Sequence, residues 1–392
     1  MRILITHYCL DNFFGSEIFT WHLARELTKR KHKVVIFSPV LGKVSKEMEK
    51  EGLTVTDDLE KYRQKEFDII HAQQNSTAIM ARSLFPKTPM VFVSHSTSEI
   101  LEQTPSVDLG ISMFVAISEK VKESLSKNKI VKKNKIKVVK NLIDTNRFYS
   151  QKPINKQPSR LMILSNHFDI QMRKVIEKSC RDLGIKVFHV GLPENPVINV
   201  EDYINKSDIV VTLGRGALEA MACERNVIIF DRNGGDGFVN ENNFYEIEKY
   251  HFSGKTYGCK YTAEEFKKEI LKYDFNQGKI LRKLIKKEYS LNVIINKFEK
   301  IYNEIRKEKV TFSEIRERQL YDEFLVLYNL YAQTKDRIRN NLSLKKMIRK
   351  QHNKIKMLNN KIKILEVLNK TPLGKINWAT HNPMKLINKY LK

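Results

Sequence analysis

Two glycine-bearing turns in this sequence have the residue types that bind anions. Gly15-Ser16 precedes an amphipathic stretch, and Gly214-Arg215-Gly216 lies between an apolar run and a helical stretch. Glycine lets the backbone approach a ligand closely, and a helix N-terminus offers unpaired N–H groups with partial positive charge. The guanidinium of Arg215 can add paired hydrogen bonds to a phosphate. Both turns are therefore candidate sites for a phosphorylated ligand, although Gly-Ser is also a common helix cap.

Two further side chains are candidates for contact with a substrate. His95 follows the apolar run Met90–Ser94, where a histidine can donate to a sugar hydroxyl or a phosphate, or shuttle a proton near neutral pH. His7 ends a similar run and competes for this role. Glu219 is predicted in the first turn of the helix after Gly216, where a carboxylate can accept from ribose hydroxyls; otherwise it only caps that helix.

The elements that must position these residues are short apolar runs alternating with amphipathic stretches. Runs that do not alternate internally are typical of strands covered on both faces of a parallel sheet. The predicted strands are Arg2–Thr6, Lys33–Phe37, Phe67–His71, Met90–Ser94, Met113–Ile117, Leu161–Leu164, Val187–Val190, Ile209–Leu213 and Val227–Phe230. The glycine-rich segment 233–237 is expected to be a loop, either reaching the cleft or a plain surface turn.

The order of these elements predicts the fold class. The polar segment 151–159 contains two prolines and reads as a linker between two strand-and-helix series. We therefore predict an α/β protein of two doubly wound, Rossmann-like domains, 1–150 and 151–305, facing a cleft at the carboxyl ends of their strands. A helical extension follows over 306–392.

Charge and cysteine content further limit the class of protein and the kind of partner that we expect. The 392 residues carry 70 Lys and Arg against 45 Asp and Glu, a surplus that indicates an anionic partner. The four cysteines are too scattered to predict a disulfide framework or a zinc site. No apolar stretch is long enough to cross a membrane. The opening apolar run is expected to be a strand rather than a signal peptide. We expect a cytoplasmic protein.

The last 62 residues hold much of the positive surplus, with 16 Lys and Arg against two acidic residues. Apolar residues at heptad positions predict a short coiled coil: Leu344, Ile348, Ile355, Leu358, Ile362 and Leu365. Such a tail could bind an anionic membrane surface peripherally or associate with a second copy. Nucleic acid is less favoured, because no recognised binding motif accompanies the charge.

Several segments resemble GT-B glycosyltransferases of the family 4 type, over about 1–305. The segment ALEAMAC (217–223) followed by a strand is similar to the donor-site signature of that family. The other matching segments, in the family's order, are FGSE (14–17), KHKV (31–34), FDIIHAQ (67–73), VAISE (115–119), NLIDTNRF (141–148) and YSLNVIINKFEKIY (289–302).

The resemblance implies a function and a set of roles. It implies retaining transfer of a hexosyl-type sugar from a nucleotide diphosphate sugar to a glycan or lipid-linked acceptor, in cell-surface polysaccharide biosynthesis, with no metal or other cofactor. Glu219 would bind the donor ribose, and His95 would contact the transferred sugar. Gly15 and Ser16 would face the diphosphate. Arg173 and Lys174 are weaker candidates for binding the diphosphate.

One departure leaves alternatives open. The family pairs two glutamates eight positions apart, and Val211 stands eight residues before Glu219. Gly214-Arg215-Gly216 occupies the turn instead, so Arg215 is predicted to meet phosphate or a charged sugar. An inverting transferase, a sugar-nucleotide epimerase of the same fold, and an inactive nucleotide-sugar-binding or scaffold protein are the alternatives.

Overall fold

The computed structural model describes residues 1–310 except 98, 106, 167–168, 193 and 196. Its first sheet has seven parallel strands in the order β3-β2-β1-β4-β5-β6-β7. The strands are β1 (Arg2–Thr6), β2 (Lys33–Phe37), β3 (Thr54–Thr56), β4 (Ile69–Ala72), β5 (Met90–Ser94), β6 (Met113–Ala116) and β7 (Ile136–Val138). β4 and β5 are fully buried and β1 is buried from Ile3 onward, which explains their apolar sequences.

Four helices accompany this sheet: α1 (Gly15–Lys29), α2 (Lys43–Lys50), α3 (Asn75–Leu84) and α4 (Glu119–Leu125). The strand order reverses direction between β1 and β4. In open α/β sheets the loops on either side of such a reversal separate and leave a crevice at the carboxyl ends of the strands. The first ligand-binding edge is therefore expected after β1 and β4.

The second sheet has five strands in the order β12-β11-β10-β8-β9, of which only β12 is antiparallel. The strands are β8 (Arg160–Leu164), β9 (Lys186–Val190), β10 (Ile209–Thr212), β11 (Asn226–Asp231) and β12 (Gly234–Phe238). Its helices are α5 (Ile170–Asp182), α6 (Val200–Ile204), α7 (Arg215–Ala222), α8 (Phe244–Glu248), α9 (Ala263–Ile270) and α10 (Gln277–Tyr289). Here the order reverses between β8 and β10, so the corresponding edge lies after β10. The predicted α/β fold class is confirmed.

The expectation of a loop at 233–237 was wrong, because most of this segment forms the buried strand β12. Glycine is required there by close packing. A Cβ at Gly235 would lie 2.2 Å from the carbonyl oxygen of Ile229, where the β11–β12 register shifts. The short strands β3 and β7 were also missed, since three residues carry too little pattern.

The last described helix, α11 (Leu291–Ile305), packs into the core of the first sheet. Ile294, Phe298 and Tyr302 are fully buried there, and the Tyr302 hydroxyl lies 2.7 Å from Nδ1 of His71 on β4. The region predicted as the second domain, 151–305, therefore contributes its final helix to the first core.

All four cysteines are free. Within the described part of the chain, no helix combines the length and apolar character needed to span a membrane. The coiled coil and basic tail predicted from the sequence lie outside the described residues.

Candidate functional site

The end of β5 is tied to the start of α1 by a chain of hydrogen bonds. Gln73 directly follows β4 and His95 directly follows β5, so adjacent parallel strands bring their side chains together. Gln73 Oε1 lies 2.8 Å from Nε2 of His95, and Gln73 Nε2 donates to Thr20 Oγ1 at 2.6 Å. Thr20 donates in turn to the carbonyl oxygen of Ser16 at 2.9 Å. Two predicted site residues, His95 and Ser16, are thereby connected.

The N-terminus of α1 is open to a ligand. The helix begins at Gly15, and the preceding residue, Phe14, makes no side-chain capping bond. Neither Gly15 nor Ser16 is therefore the cap that their types also suggested. A Cβ added to Gly15 would meet nothing within 4 Å, so a ligand can approach the backbone closely here.

The turn between β10 and α7 requires both of its glycines. Gly214 has φ +54°, a conformation that favours glycine, and its amide donates to the carbonyl of Phe252 at 2.8 Å. A Cβ at Gly216 would lie 2.4 Å from Oγ1 of Thr212. Because α7 already begins at Arg215, Glu219 lies in its second turn; the prediction of a first-turn position was wrong.

Arg215 and Glu219 form an ion pair between the two sheets. Arg215 Nε donates to Glu219 Oε1 at 2.7 Å, and the two side chains are only 11% and 10% exposed. Arg215 Nη1 donates to the carbonyl of Leu142 at 3.1 Å, and Nη2 lies 3.5 Å from Nδ1 of His22 on α1. Burial raises the pKa of Glu219, and the neighbouring guanidinium opposes that rise. The contact of Arg215 with phosphate stays a prediction.

His251 brings the second sheet's loops close to His95. His251 and Phe252 have φ +54° and +52°, two consecutive left-handed residues without glycine. The His251 ring would lie 3.8 Å from a Cβ at Gly214, and its Nε2 lies 3.0 Å from Nδ2 of Asn141. Burial and, to a smaller extent, the histidines near it, His251 among them, together lower the pKa of His95 to about 3. Groups that follow strands of both sheets thus lie close together here.

His7 is less suited than His95 to contact a substrate. Its side chain is fully buried, and its Nδ1 accepts from the amide of Cys9 at 3.2 Å. Burial lowers the pKa of His7 to about 3. A neutral, enclosed ring of this kind packs inside the fold at the end of β1 and is poorly placed to contact a substrate.

Arg173 and Lys174 lie near the start of α5. Arg173 donates to Glu177 and to Glu194, each at 2.7 Å, and Lys174 is exposed. Two carboxylates already share the Arg173 guanidinium, so a diphosphate would have to compete with them. Within the described ranges, no three His, Cys, Asp or Glu side chains form a group that could hold a metal ion.

Three residues of the cleft were missed as functional candidates. Gln73 belonged to a matched segment, FDIIHAQ, and its position directly after a strand was the available signal. Glu17 is only 3% exposed in the first turn of α1, and burial raises its pKa to about 7. His251 gave no signal, because its place depends on a backbone conformation unusual for histidine.

The family comparison matches the region from α1 to β7. The profile described as Glycosyltransferase Family 4 matches residues 14–147. No curated protein matches the chain significantly.

Solved structures share the fold across both sheets. HepE (Alr3699) from Anabaena, in complex with UDP and glucose, is 12% identical with a TM-score of 0.59, and the alignment covers 77% of this chain and 99% of HepE. A glycosyltransferase from Rickettsia africae is 17% identical with a TM-score of 0.54, covering 79% of this chain and 99% of that one. At these identities the likeness establishes the fold. Together with the family match over residues 14–147 it confirms the resemblance seen in the sequence: part of the chain matches a family 4 glycosyltransferase profile, and the chain has the GT-B fold.

Proposed function

We propose that this protein transfers a sugar from a nucleotide diphosphate sugar bound in the cleft between the two sheets. One observation carries the proposal: the open N-terminus of α1, His95 and the α7 turn are linked around one cleft. The link runs from Ser16 through Gln73 to His95, and from the α7 turn through Arg215 to His22 on α1.

This arrangement suits the departure of a diphosphate. Breaking a glycosidic bond to a diphosphate requires stabilisation of the leaving anion and of an oxocarbenium-like sugar. The N-terminus of α1, at Gly15 and Ser16, supplies N–H groups and a positive dipole end. The N-terminus of α7 adds a second positive dipole end, since the amides of Gly214 and Gly216 already donate to Phe252 and Leu213. Arg215 supplies the fixed positive charge between them. No step in this scheme uses a metal ion or another cofactor.

Glu219 is proposed to bind the donor ribose. Its ion pair with Arg215 occupies Oε1 and favours the charged carboxylate, which accepts hydrogen bonds from hydroxyl groups. The other carboxylate oxygen is then left to accept a hydrogen bond from a ribose hydroxyl. HepE structures contain UDP and UDP-glucose, which supports a nucleotide-sugar donor here.

The stereochemistry is proposed to be retention. The leaving phosphate would then take the proton of the acceptor hydroxyl, so no dedicated protein base is needed. Val211, at the place of the family's first glutamate, is fully buried on β10, and this specific departure makes an inverting transferase the second candidate. The anomeric configuration of the product, read by proton NMR coupling, decides between them.

The acceptor is proposed to be a glycan or a lipid-linked sugar of the cell surface, used on the cytoplasmic side of the membrane. Support comes from the charge of the last 62 residues, which hold 16 Lys and Arg and two acids. Such a segment is attracted to anionic lipid head groups; self-association through the heptad positions is the other proposal for it.

Donor binding tests the proposal directly. We expect a UDP- or GDP-sugar to raise the melting temperature of the protein, and Glu219→Gln to abolish most of the shift while lowering donor kcat/KM at least tenfold. Glu264→Gln, on the exposed first turn of α9, is the matched control and should behave as the parent. The absence of a shift with every nucleotide sugar would contradict the donor site. Unchanged turnover in Glu219→Gln would contradict the role of Glu219.

A further inference from the structure

We propose that Gln73 is a positioning residue that holds His95 as a neutral imidazole with its proton on Nε2, so that Nδ1 accepts a hydrogen bond from a hydroxyl group of the bound sugar. The inference rests on the proposed function for its ligand, a sugar. The tautomer itself follows from the hydrogen bonds of the described residues.

The direction of the hydrogen bonds begins at Thr20. A hydroxyl has one proton to donate, and that of Thr20 goes to the carbonyl oxygen of Ser16 at 2.9 Å. The contact of 2.6 Å between Thr20 Oγ1 and Gln73 Nε2 must therefore use a proton of the Gln73 amide. This requirement fixes which end of the amide faces Thr20.

The other end of the amide then determines the state of His95. The Gln73 oxygen faces Nε2 of His95 at 2.8 Å, and an amide oxygen only accepts. Nε2 must therefore carry a proton. Gln73 and Thr20 are both fully buried, so water does not offer either group an easy substitute partner.

The surroundings keep the ring neutral and oriented. The groups that act on His95 come from three elements: His7 at the end of β1, His71 on β4, and His251 in the loop after α8. These histidines disfavour a positive charge on the ring, as burial does. The ring also packs edge-on against Phe19 of α1, with 4.9 Å between the ring centres.

A neutral ring with Nε2 protonated has its lone pair on Nδ1. A lone pair accepts from a hydroxyl group but repels a phosphate oxygen. The ligand of His95 is thus the sugar, and the diphosphate is left to the helix N-termini. Of the roles that the sequence allowed for His95, donation to phosphate and proton transfer near neutral pH are both disfavoured.

The tautomer can be measured on the unaltered protein. Nitrogen-15 NMR of histidine-labelled protein, with His95→Gln to assign the signal, should give a protonated Nε2 and an unprotonated Nδ1 from pH 5 to 8. A proton on Nδ1, or an imidazolium at pH 7, would overturn the proposal. This measurement needs no enzymatic activity, so it distinguishes failure of this inference from failure of the proposed function.

Gln73→Glu tests the consequence for transfer. A carboxylate beside Nε2 stabilises the imidazolium and raises the pKa of His95, and protonated Nδ1 cannot accept. Between pH 8 and pH 6 we expect kcat/KM of the variant to fall about tenfold more than kcat/KM of the parent does. A tenfold loss corresponds to one lost neutral hydrogen bond. Gln74→Glu is the matched control, because Gln74 is equally buried but its Oε1 accepts from the amide of Tyr8.

The outcomes separate positioning from mere structural support. An extra pH dependence in Gln73→Glu, but not in Gln74→Glu, supports the proposal, and identical profiles for Gln73→Glu and the parent overturn it. Should Gln73→Glu not fold, Thr20→Val serves instead. That variant removes the acceptor that orients the amide and should give a mixture of the two His95 tautomers in the nitrogen spectrum, whereas an unchanged spectrum would contradict the chain of bonds.

Discussion

Glu17 shows how a single buried carboxyl near the cleft affects stability. Only 3% of the residue is exposed, Ser16 Oγ donates to its Oε2 at 2.9 Å, and burial raises its pKa from 4.5 to about 7. Between these two values the folded chain holds a proton that the unfolded chain has released. Stability therefore falls as the pH rises from about 4.5 to 7, and the loss is complete above pH 7.

Glu17→Gln removes this pH dependence, because an amide cannot ionise. Since one pKa unit corresponds to about 1.4 kcal/mol, we expect the variant to exceed the parent in free energy of unfolding by about 3 kcal/mol at pH 8. Near pH 4.5 the two should agree within about 0.5 kcal/mol. Urea denaturation at both pH values measures the difference. A gap of equal size at both values would show that ionisation of Glu17 is not its cause.

At the residue scale, the sequence identified candidate site residues better than it identified their hydrogen-bond and ion-pair partners. His95 and Ser16 were candidates from their positions beside predicted strands and helices. Gln73, which connects them, had only the weak signal of its position after a strand, because a glutamine there is ordinary until the neighbouring strand is placed. The sequence predicts that Arg215 meets phosphate or a charged sugar; it does not predict the ion pair with Glu219, which depends on α7 beginning at Arg215 itself.

The turn between β10 and α7 is the element on which the proposed donor site most depends. A Cβ at Gly216 would lie 2.4 Å from Thr212 Oγ1 and 3.1 Å from Leu164 Cδ2. Thr212 is buried at the end of β10, so its side chain cannot move away without disturbing the sheet. We expect Gly216→Ala to lower the free energy of unfolding by about 1–3 kcal/mol, measured by urea denaturation.

Gly15→Ala is the matched control for that turn. Gly15 also stands at the N-terminus of a helix, but a Cβ there meets nothing within 4 Å. Its free energy of unfolding should stay within about 0.5 kcal/mol of the parent. A similar loss in both variants would mean that alanine is disfavoured at helix starts in general, and that close packing at Gly216 is not the reason.

Among the elements, those with strong apolar runs were predictable and those made by long-range pairing were not. Strands 2–6, 33–37 and 90–94 have the predicted bounds, because a buried parallel strand needs a continuous apolar run. β12 escaped prediction for the opposite reason. Its sequence, GGDGF, has almost no β propensity. It is a strand because it pairs with β11, and its glycines are needed because neighbouring backbones approach closely there.

At the scale of the whole molecule, the sequence predicted two similar halves but not how they are joined. α11 lies at the end of the second strand-and-helix series and packs in the core of the first. The join is reinforced by Arg30 on the exit of α1, which donates to Glu299 at 2.5 Å and to Asn292 at 2.8 Å on α11. Such contacts join residues more than 260 positions apart, which no local pattern reveals.

Positive charge is unevenly distributed over the whole chain, and this asymmetry predicts where the enzyme acts. We expect the full-length protein to float with vesicles containing anionic lipid, and a chain ending at Glu308 to remain unbound. Each Lys or Arg near such a surface contributes roughly 1 kcal/mol, and the last 62 residues hold 16 of them. Because these attractions are screened, flotation should be lost at about 1 M salt, where the Debye length is about 3 Å.

Neutral vesicles provide the control for that experiment, and sedimentation of both chains tests the competing proposal. Flotation of the full-length protein alone, and only with anionic lipid, assigns the tail to the membrane surface. Equal flotation of both chains would place any lipid contact in the body of the enzyme. If neither chain floats and only the full-length protein sediments as a dimer, the tail serves self-association, since heptad positions pair helices without any need for lipid.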